Sequence, residues 1–345
     1  MKLISKSKRF VFTFLIALSF LQISGCSQAK FIKQTKIMMG TLVTIIADAS
    51  PQAVEKAFNE IKRVDLLMSR FKPNSEVSLL NQKGEVKVSP ETREVIQRAI
   101  EFSKITNGAF DITCGPICNL WLKSGKEGKM PTQKELSYAV SLVGYHNIII
   151  NGNRIKFSKK GMQITLGGIA KGYAVDKAIQ VLREEGVTRA LVDAGGDMYC
   201  LGERPKEKTL REKIQQFFFG RGPKEKKWEI GIQDPRNRNK IIGIIKVKDK
   251  GVATSGDYER YVTIQGKRFS HIVNPATGLT VQNNPMSVTI IASNATTADA
   301  LATGVFVLGP KRGIELINKL SGVEGMIVSE GERITCSKGW GRYQN

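Results

Sequence analysis

Acidic residues are scarce in this sequence: 31 aspartates and glutamates stand against 53 lysines and arginines, a formal charge of +22. That balance favours anionic partners such as lipid headgroups, phosphate-bearing ligands or nucleic acid. Several motifs are missing as well. No Gly-x-Gly-x-x-Gly run and no Walker loop occur, so dinucleotide-fold and P-loop readings have no support. The glycine–serine spacing of a serine-hydrolase elbow is absent. Histidine is limited to His146 and His271, and neither lies beside Cys114 and Cys118, which argues against a zinc site. The apolar run from Phe10 to Leu21 is too short for a comfortable membrane span. There is no internal repeat.

What is present begins with an export signal. Lys2, Lys6, Lys8 and Arg9 precede the apolar run, which ends Ile23-Ser24-Gly25-Cys26. Small residues before a cysteine resemble a bacterial lipobox, so residues 1–25 read as a lipoprotein signal and Cys26 as the lipidated residue. The expected location is outside the cytoplasmic membrane, anchored by acyl chains on its periplasmic side. An exported protein has little access to nucleic acid, which removes that partner. Removing the four positive charges of the signal leaves +18. Cys114, Cys118, Cys200 and Cys336 then remain, an even number that permits disulfides without requiring them. Residues 26–36 read as a tether and 37–345 as one domain.

Along that domain, Thr41–Ala47 reads as a strand and Pro51–Ser69 as a helix, followed by an irregular loop over residues 69–76. Ser89-Pro90-Glu91 opens a second helix, and residues 109–116 turn toward Trp121. Thr132-Gln133-Lys134-Glu135 is a capping box for a third. Asn151-Gly152 marks a hairpin over residues 147–157. Met162–Leu166 reads as a short strand that meets Gly167-Gly168 and then a helix ending at Gly186. Residues 203–227 carry nine basic and four acidic side chains around Phe217-Phe218-Phe219 and read as an exposed insertion. Further strands are expected at 189–193, 228–232, 241–247, 258–264, 268–273, 287–291 and 323–329. Helices are expected at 297–308 and 310–320. Strands and helices mix without regular βαβ alternation, which indicates the α+β class.

Three constellations carry possible chemistry. Gly167-Gly168-Ile169-Ala170-Lys171 puts glycines, a helix N-terminus and a cation together, which suits either a phosphate or a tight turn. Asp299 and Thr303 lie four apart on one helix face and offer oxygens for a hard cation; a capping aspartate and a back-bonded threonine would look the same. His271, before Asn274-Pro275-Ala276-Thr277-Gly278, is placed to take a proton from a hydroxyl, or to be a satisfied hairpin histidine. Ala253–Tyr258 reads as a polar turn able to line a phosphate. His146 reads as structural.

Taken in order, these pieces resemble one family. Met39-Gly40-Thr41, Ser75-Glu76 with Asn81, Gly108–Thr113 and Leu166–Asp176 come first. Ala194-Gly195-Gly196-Asp197, Ala253–Glu259, His271–Gly278 and Ala298–Thr303 follow. The order is similar to that of the ApbE family of FAD:protein FMN transferases, over roughly residues 36–330. The resemblance implies an α+β fold related to the T-fold, a mixed sheet with packed helices and an FAD cleft between subregions. It implies a magnesium-dependent transfer of FMN from FAD to a serine or threonine hydroxyl of a target protein, with release of AMP. Met39, Phe71, Ala109, Phe110, Asp111, Thr165, Lys171 and Ile272 would then line the FAD cleft. Asp299, Thr303 and the Gly168 carbonyl would hold Mg2+. His271 would be the base, with Asp257 a second candidate. Partners would be FAD and a membrane redox subunit or flavin-bearing domain. The alternative is an FAD-binding or FAD-hydrolysing lipoprotein with no protein acceptor.

The chain departs from the family pattern at three places. Thr165 stands where an aspartate usually precedes Leu-Gly-Gly, Asn274 where an aspartate precedes the proline, and the 203–227 insertion is longer and more basic than usual. Cys114 and Cys118 fall inside the Phe-Asp-Ile-Thr region, as a disulfide or as buried thiols.

Overall fold

A computed structural model describes residues 31–204, 226–282 and 284–344. The segment read as an export signal, Cys26 and most of the 203–227 insertion lie outside them. Residues 31–36, read as tether, are instead the start of strand β1 (Phe31–Met38), which pairs antiparallel with β2 (Thr41–Asp48). The two-residue connection Met39-Gly40 explains why: both residues have positive φ, 53° and 71°, the left-handed pair that a tight hairpin with native twist requires.

The pair starts an eight-stranded sheet in the order β1-β2-β6-β7-β10-β13-β14-β15. Its other members are β6 (Ala190–Ala194), β7 (Asp197–Leu201), β10 (Lys250–Gly256), β13 (Ser287–Ala292), β14 (Glu324–Ser329) and β15 (Arg333–Cys336). The α+β class holds, but every ladder of this sheet is antiparallel where mixed directions were expected. Smaller ladders are formed by β3 (Glu85–Lys87) with β5 (Arg154–Phe157) and β4 (Ile148–Asn151), by β8 (Trp228–Gln233) with β9 (Ile241–Val247), and by β11 (Tyr261–Ile264) with β12 (Lys267–Ser270). Arg204 N–H donates to the Lys226 carbonyl at 2.8 Å, so the two ends of the insertion meet.

Helices α1 (Pro51–Met68), α2 (Glu76–Lys83), α3 (Pro90–Ile105), α4 (Gly115–Glu127), α5 (Gln133–Ser141), α6 (Ala170–Glu184) and α7 (Ala295–Ile317) complete the described residues. Capping residues set most of their starts. Ser50 and Ser89 each accept a backbone N–H ahead of a first-turn proline, and Thr132 and Glu135 form the expected reciprocal box. Gly309, at φ 79° before Pro310, kinks α7 where two helices were expected. No helix among the described residues is long and apolar enough to cross a membrane.

Alternation along β2 puts Val43, Ile45 and Ala47 on one face, where they join Val54, Phe58 and Ile61 of α1 and Ala174, Val175 and Ala178 of α6. Next to this cluster, Val288 and Ile290 of β13 pack on Ala298, Leu301, Ala302 and Val305 of α7. The opposite face carries Leu191, Cys200, Trp228, Ile245 and Trp340. Helices α6 and α7 therefore lie side by side on the first face. At their contact, a Cβ on Gly172 would come within 2.3 Å of the Ala295 carbonyl oxygen, so only glycine fits.

Candidate active site

The α6–α7 contact is organised by two carboxylates exchanged between the helices. Asp299 of α7 accepts the Gly172 N–H of α6 at 3.0 Å. Asp176 of α6 accepts the Ala295 and Thr296 N–H groups of α7, each at 2.8 Å. Each acid thus caps the N-terminus of the other helix, where the dipole favours negative charge. Burial raises the pKa of both, against these hydrogen bonds. Ile169 offers no side-chain cap for α6, and Asp299 supplies what it lacks.

Around Asp299 the sequence-identified residues come together. Gly168 lies against Thr303: a Cβ there would sit 2.9 Å from the Thr303 hydroxyl and 3.2 Å from Phe110 Cε2. Ser255 Oγ is 3.4 Å from Thr303 Oγ1. Lys171 forms an ion pair with the buried Asp197 and stands 3.9 Å from Asp299 Oδ1. The resemblance put the lysine on the FAD cleft; in the structure its ammonium is engaged by carboxylates. Asp193, whose Oδ1 accepts Gly196 N–H at 2.8 Å, has its pKa raised by burial, an effect that Lys171 opposes. Two carboxylates, Asp197 and Asp299, therefore lie within ion-pair reach of one ammonium.

Asp197 was part of a motif but was not singled out. Its signal was the pair of glycines before it. Gly195, at φ 67°, has Thr41 Oγ1 2.2 Å from where a Cβ would be, and this close approach brings the β6–β7 turn to the Met39-Gly40 turn. Arg260 was also missed. Its guanidinium donates to the Gly40 carbonyl at 3.0 Å, while its own carbonyl lies 2.9 Å from His271 Nδ1. A carbonyl only accepts, so Nδ1 carries the proton and Nε2 keeps its lone pair. Crowding by protein lowers the His271 pKa, the Arg260 carbonyl opposes this, and the charges of Arg260 and Lys171 add to the lowering. The ring keeps an exposed face, which limits the depression.

The remaining residues divide into buried and exposed ones. Ile272 is buried in the α7 core, and Phe110 packs edge-on to Phe102 at 6.4 Å. Both oxygens of Asp111 are used internally, Oδ1 by Thr113 and Oδ2 by Tyr145 N–H at 3.0 Å, so it shapes the loop beside Ala109. Met39 is half-buried in its turn. Phe71 is 72% exposed with the Arg70 guanidinium over its ring. Asp257 is gripped by both Arg236 amines, at 2.6 and 2.9 Å, and that pairing competes with a role as base.

Two expectations are corrected here. Met162–Leu166 is not a strand: the Asn81 side chain accepts from Ile164 N–H at 2.7 Å and donates to its carbonyl at 2.9 Å, satisfying the groups a neighbouring strand would have paired. Thr165 N–H donates to the Ile112 carbonyl, and Thr165 Oγ1 accepts weakly from Gly167 N–H at 3.4 Å, the turn-ordering bond a short polar side chain can supply. Ala253–Gly256 is not a turn but part of central strand β10; the turn begins at Asp257. Cys114 and Cys118 are free thiols.

A model of the ApbE family matches residues 39–327. The chain belongs to the ApbE family. It is 33% identical over 319 residues to the FAD:protein FMN transferase of Haemophilus influenzae, covering 87% of each chain. It is 32% identical over 316 residues to that of Vibrio cholerae, covering 87% of this chain and 89% of the relative. Among solved structures, the ApbE protein of Thermotoga maritima superposes with a TM-score of 0.80 at 34% identity, over 92% of this chain and all of the other. The flavin transferase ApbE from Vibrio cholerae gives 0.76 at 27%, over 91% and 99%.

The fit of a hard cation follows from the donor set. Asp299, Thr303 and the neighbouring Gly168 backbone offer a carboxylate, a hydroxyl and a carbonyl, the oxygen types that magnesium accepts. Asp197 Oδ2 is paired with the Lys171 ammonium and Asp299 Oδ1 stands 3.9 Å from it, so two buried carboxylates face one cation and the corner carries negative charge in excess. No cluster of three or more His, Cys, Asp or Glu suited to a metal occurs among the described residues, so a site here must use hydroxyl and carbonyl oxygens.

Proposed function

We propose that this ApbE-family chain is an FAD:protein FMN transferase that moves FMN from FAD to a serine or threonine hydroxyl of a target protein and releases AMP. The observation that carries the reading is the meeting of Gly168, Asp299, Thr303 and Lys171 on the α6–α7 contact, in a chain whose similar relatives are named FAD:protein FMN transferase. Mg2+ held by Asp299, Thr303 and the Gly168 carbonyl would supply positive charge against the FAD diphosphate.

The rest of the chemistry belongs to the protein. His271 Nε2, free because Nδ1 is engaged by Arg260, takes the proton of the acceptor hydroxyl. The hydroxyl oxygen bonds to the phosphorus on the FMN side, and the bond to the AMP phosphate breaks. Lys171 holds Asp197 and limits the repulsion that the diphosphate would meet. Phe110, Ile272 and Met39 line the apolar part of the cleft, Ala109 and Thr165 its edge, and Phe71 offers an exposed ring to the flavin. Asp257, through Arg236, orders the turn after β10. Because the His271 ring is exposed, water competes with the acceptor, and FAD hydrolysis is the expected side reaction. The chain would act outside the cytoplasmic membrane, anchored through Cys26, on a membrane redox subunit or flavin-bearing domain.

The test incubates the mature protein with FAD, Mg2+ and a candidate acceptor exposing serine or threonine. An FMN-sized mass gain on the acceptor with equal AMP release is expected. No gain on any acceptor with any divalent metal contradicts the reading.

A further inference from the structure

Helix α4 begins with two thiols one turn apart. Cys114 is its N-cap, the Cys118 N–H donates to the Cys114 carbonyl at 3.0 Å, and the sulfurs lie 3.8 Å apart. Both are free and half-buried. Residues four apart in a helix are about 6 Å apart along the axis, inside the roughly 4.4–6.8 Å Cα separation that a disulfide accepts. Closing the gap from 3.8 Å to the ~2.05 Å of a disulfide draws the two side chains together across the first turn of α4.

That turn has no slack. Cys114 forms a parallel bridge with Gln163, and a Cβ on Gly115 would be 2.6 Å from the Gln163 carbonyl oxygen. Asn119, on the same helix, donates to Gln163 Oε1 at 2.6 Å and accepts from Arg70 at 2.9 Å, the arginine that stacks on Phe71. Gln163 stands two residues before Thr165, and Cys114 N–H donates to the Asp111 carbonyl. Both chain directions thus run from the thiols to residues assigned to the FAD cleft.

We propose that Cys114 and Cys118 are a redox-active dithiol, closed to a disulfide by exchange with an external disulfide, and that closure weakens FAD binding. The second half rests on the flavin-site reading above. Either sulfur can donate in the contact between them. With Cys114 as donor, that bond and then the Arg70 charge lower the Cys118 pKa against burial, and in that arrangement Cys118 is the attacking sulfur. Its thiolate bonds to one sulfur of an external disulfide and expels a thiolate, which takes up a proton. Cys114, losing its proton, then attacks Cys118 Sγ and expels the second external thiol. The two cysteines lose two electrons, and the external disulfide becomes two thiols. Export, as proposed, puts the pair where disulfide exchange operates.

The full chain is equilibrated in glutathione–glutathione disulfide mixtures, alkylated and mapped by mass spectrometry. FAD affinity is read from flavin fluorescence in both states. The expected result is a reversible Cys114–Cys118 disulfide and a severalfold weaker FAD affinity when oxidised. The double variant Cys114→Ser, Cys118→Ser should show no redox response. Thiols that stay alkylatable throughout, or a stable glutathione adduct on one cysteine, overturn the dithiol. A disulfide that leaves FAD affinity unchanged overturns the coupling. Failure of the reduced chain to bind FAD contradicts the flavin site itself, while the disulfide map still decides the dithiol.

Discussion

The inner corner at the α6–α7 contact and the outer rim around Phe71 and His271 are built on opposite terms. At the corner Asp299 is 3% exposed and Asp197 2%, and both lie by the Lys171 ammonium. Asp299 caps a helix and faces the proposed cation; Gly172 gives up its Cβ so that two backbones can meet. At the rim Phe71 stands in solvent and the His271 ring has an open face. The corner stores charge, and the fold depends on it. The rim is free to meet molecules that come and go. The lesson is that stability and activity should separate at the rim and stay coupled at the corner.

The strongest break of that coupling is at Asp299. Asp299→Ala removes the carboxylate and leaves the Gly172 N–H unpaired in a buried place, costing about 1–3 kcal/mol. Asp299→Asn keeps an oxygen for that N–H and removes only the charge. Both variants should lose transfer by roughly 100-fold or more, but only the alanine variant should melt early. Paired melting curves and acceptor mass-gain time courses check this. Equal melting of the two variants would mean that the cap contributes nothing.

His271 comes next. His271→Ala should lower transfer by roughly 100- to 10,000-fold with the melting temperature and FAD affinity preserved. The pH profile carries the sign. The base works when neutral, and the surroundings push its pKa down, to about 4 where crowding acts fully. Transfer should therefore be flat through neutrality and fall only on acidification. An acid limb centred above the ordinary histidine value of about 6.5 would show that the ring is not held as described.

The same division explains what the residues disclosed beforehand. Local signals were readable: the Ser89 and Thr132 caps, the Asn151-Gly152 hairpin and the apolar periodicities of α1 and α6 all appear where expected. Helix α2 was hidden because eight residues hold too few turns to show a period, and α4 because Gly115-Pro116 looks like a turn. Met162–Leu166 looked like a strand because it is apolar; its pairing partner is an asparagine side chain eighty-odd residues earlier, which no local pattern reveals. Ala253–Gly256 looked polar, yet Thr254 pairs across the sheet with Thr289 at 2.9 Å and Ser255 meets Thr303 of α7. At the site, Asp299, Thr303 and His271 were legible through spacing and family order. Lys171 was legible as a cation, but its partner Asp197 was not, because an ion pair between α6 and β7 is a tertiary fact.

Phe71 sharpens the rim side. Its ring touches the Arg70 guanidinium and little of the core, so Phe71→Ala should leave stability within about 0.5 kcal/mol. If the ring stacks on flavin, FAD binding should weaken by about 0.5–1.5 kcal/mol, the range for an aromatic pair. Fluorescence titration against a melting curve reads both. A loss of stability with unchanged FAD affinity would move Phe71 from the rim to the fold.

Thr165 lies between the two regions and should show the smallest effect. Its hydroxyl accepts from Gly167 N–H at 3.4 Å, long for a hydrogen bond, and its backbone is independently tied to Ile112 at 2.7 Å. Thr165→Ala therefore removes little, at most about 0.5 kcal/mol of a bond whose usual net value is near 1. Thr165→Asp should shorten the Gly167 contact because a carboxylate is the stronger acceptor. It also adds negative charge next to a corner already holding Asp193, Asp197 and Asp299. If a cation is bound at that corner, the added charge is offset and FAD affinity measured with Mg2+ should hold or improve. Without Mg2+ the same substitution should weaken FAD binding by repulsion of the diphosphate. A Thr165→Asp effect of the same sign and size with and without magnesium would show that the corner does not hold the metal.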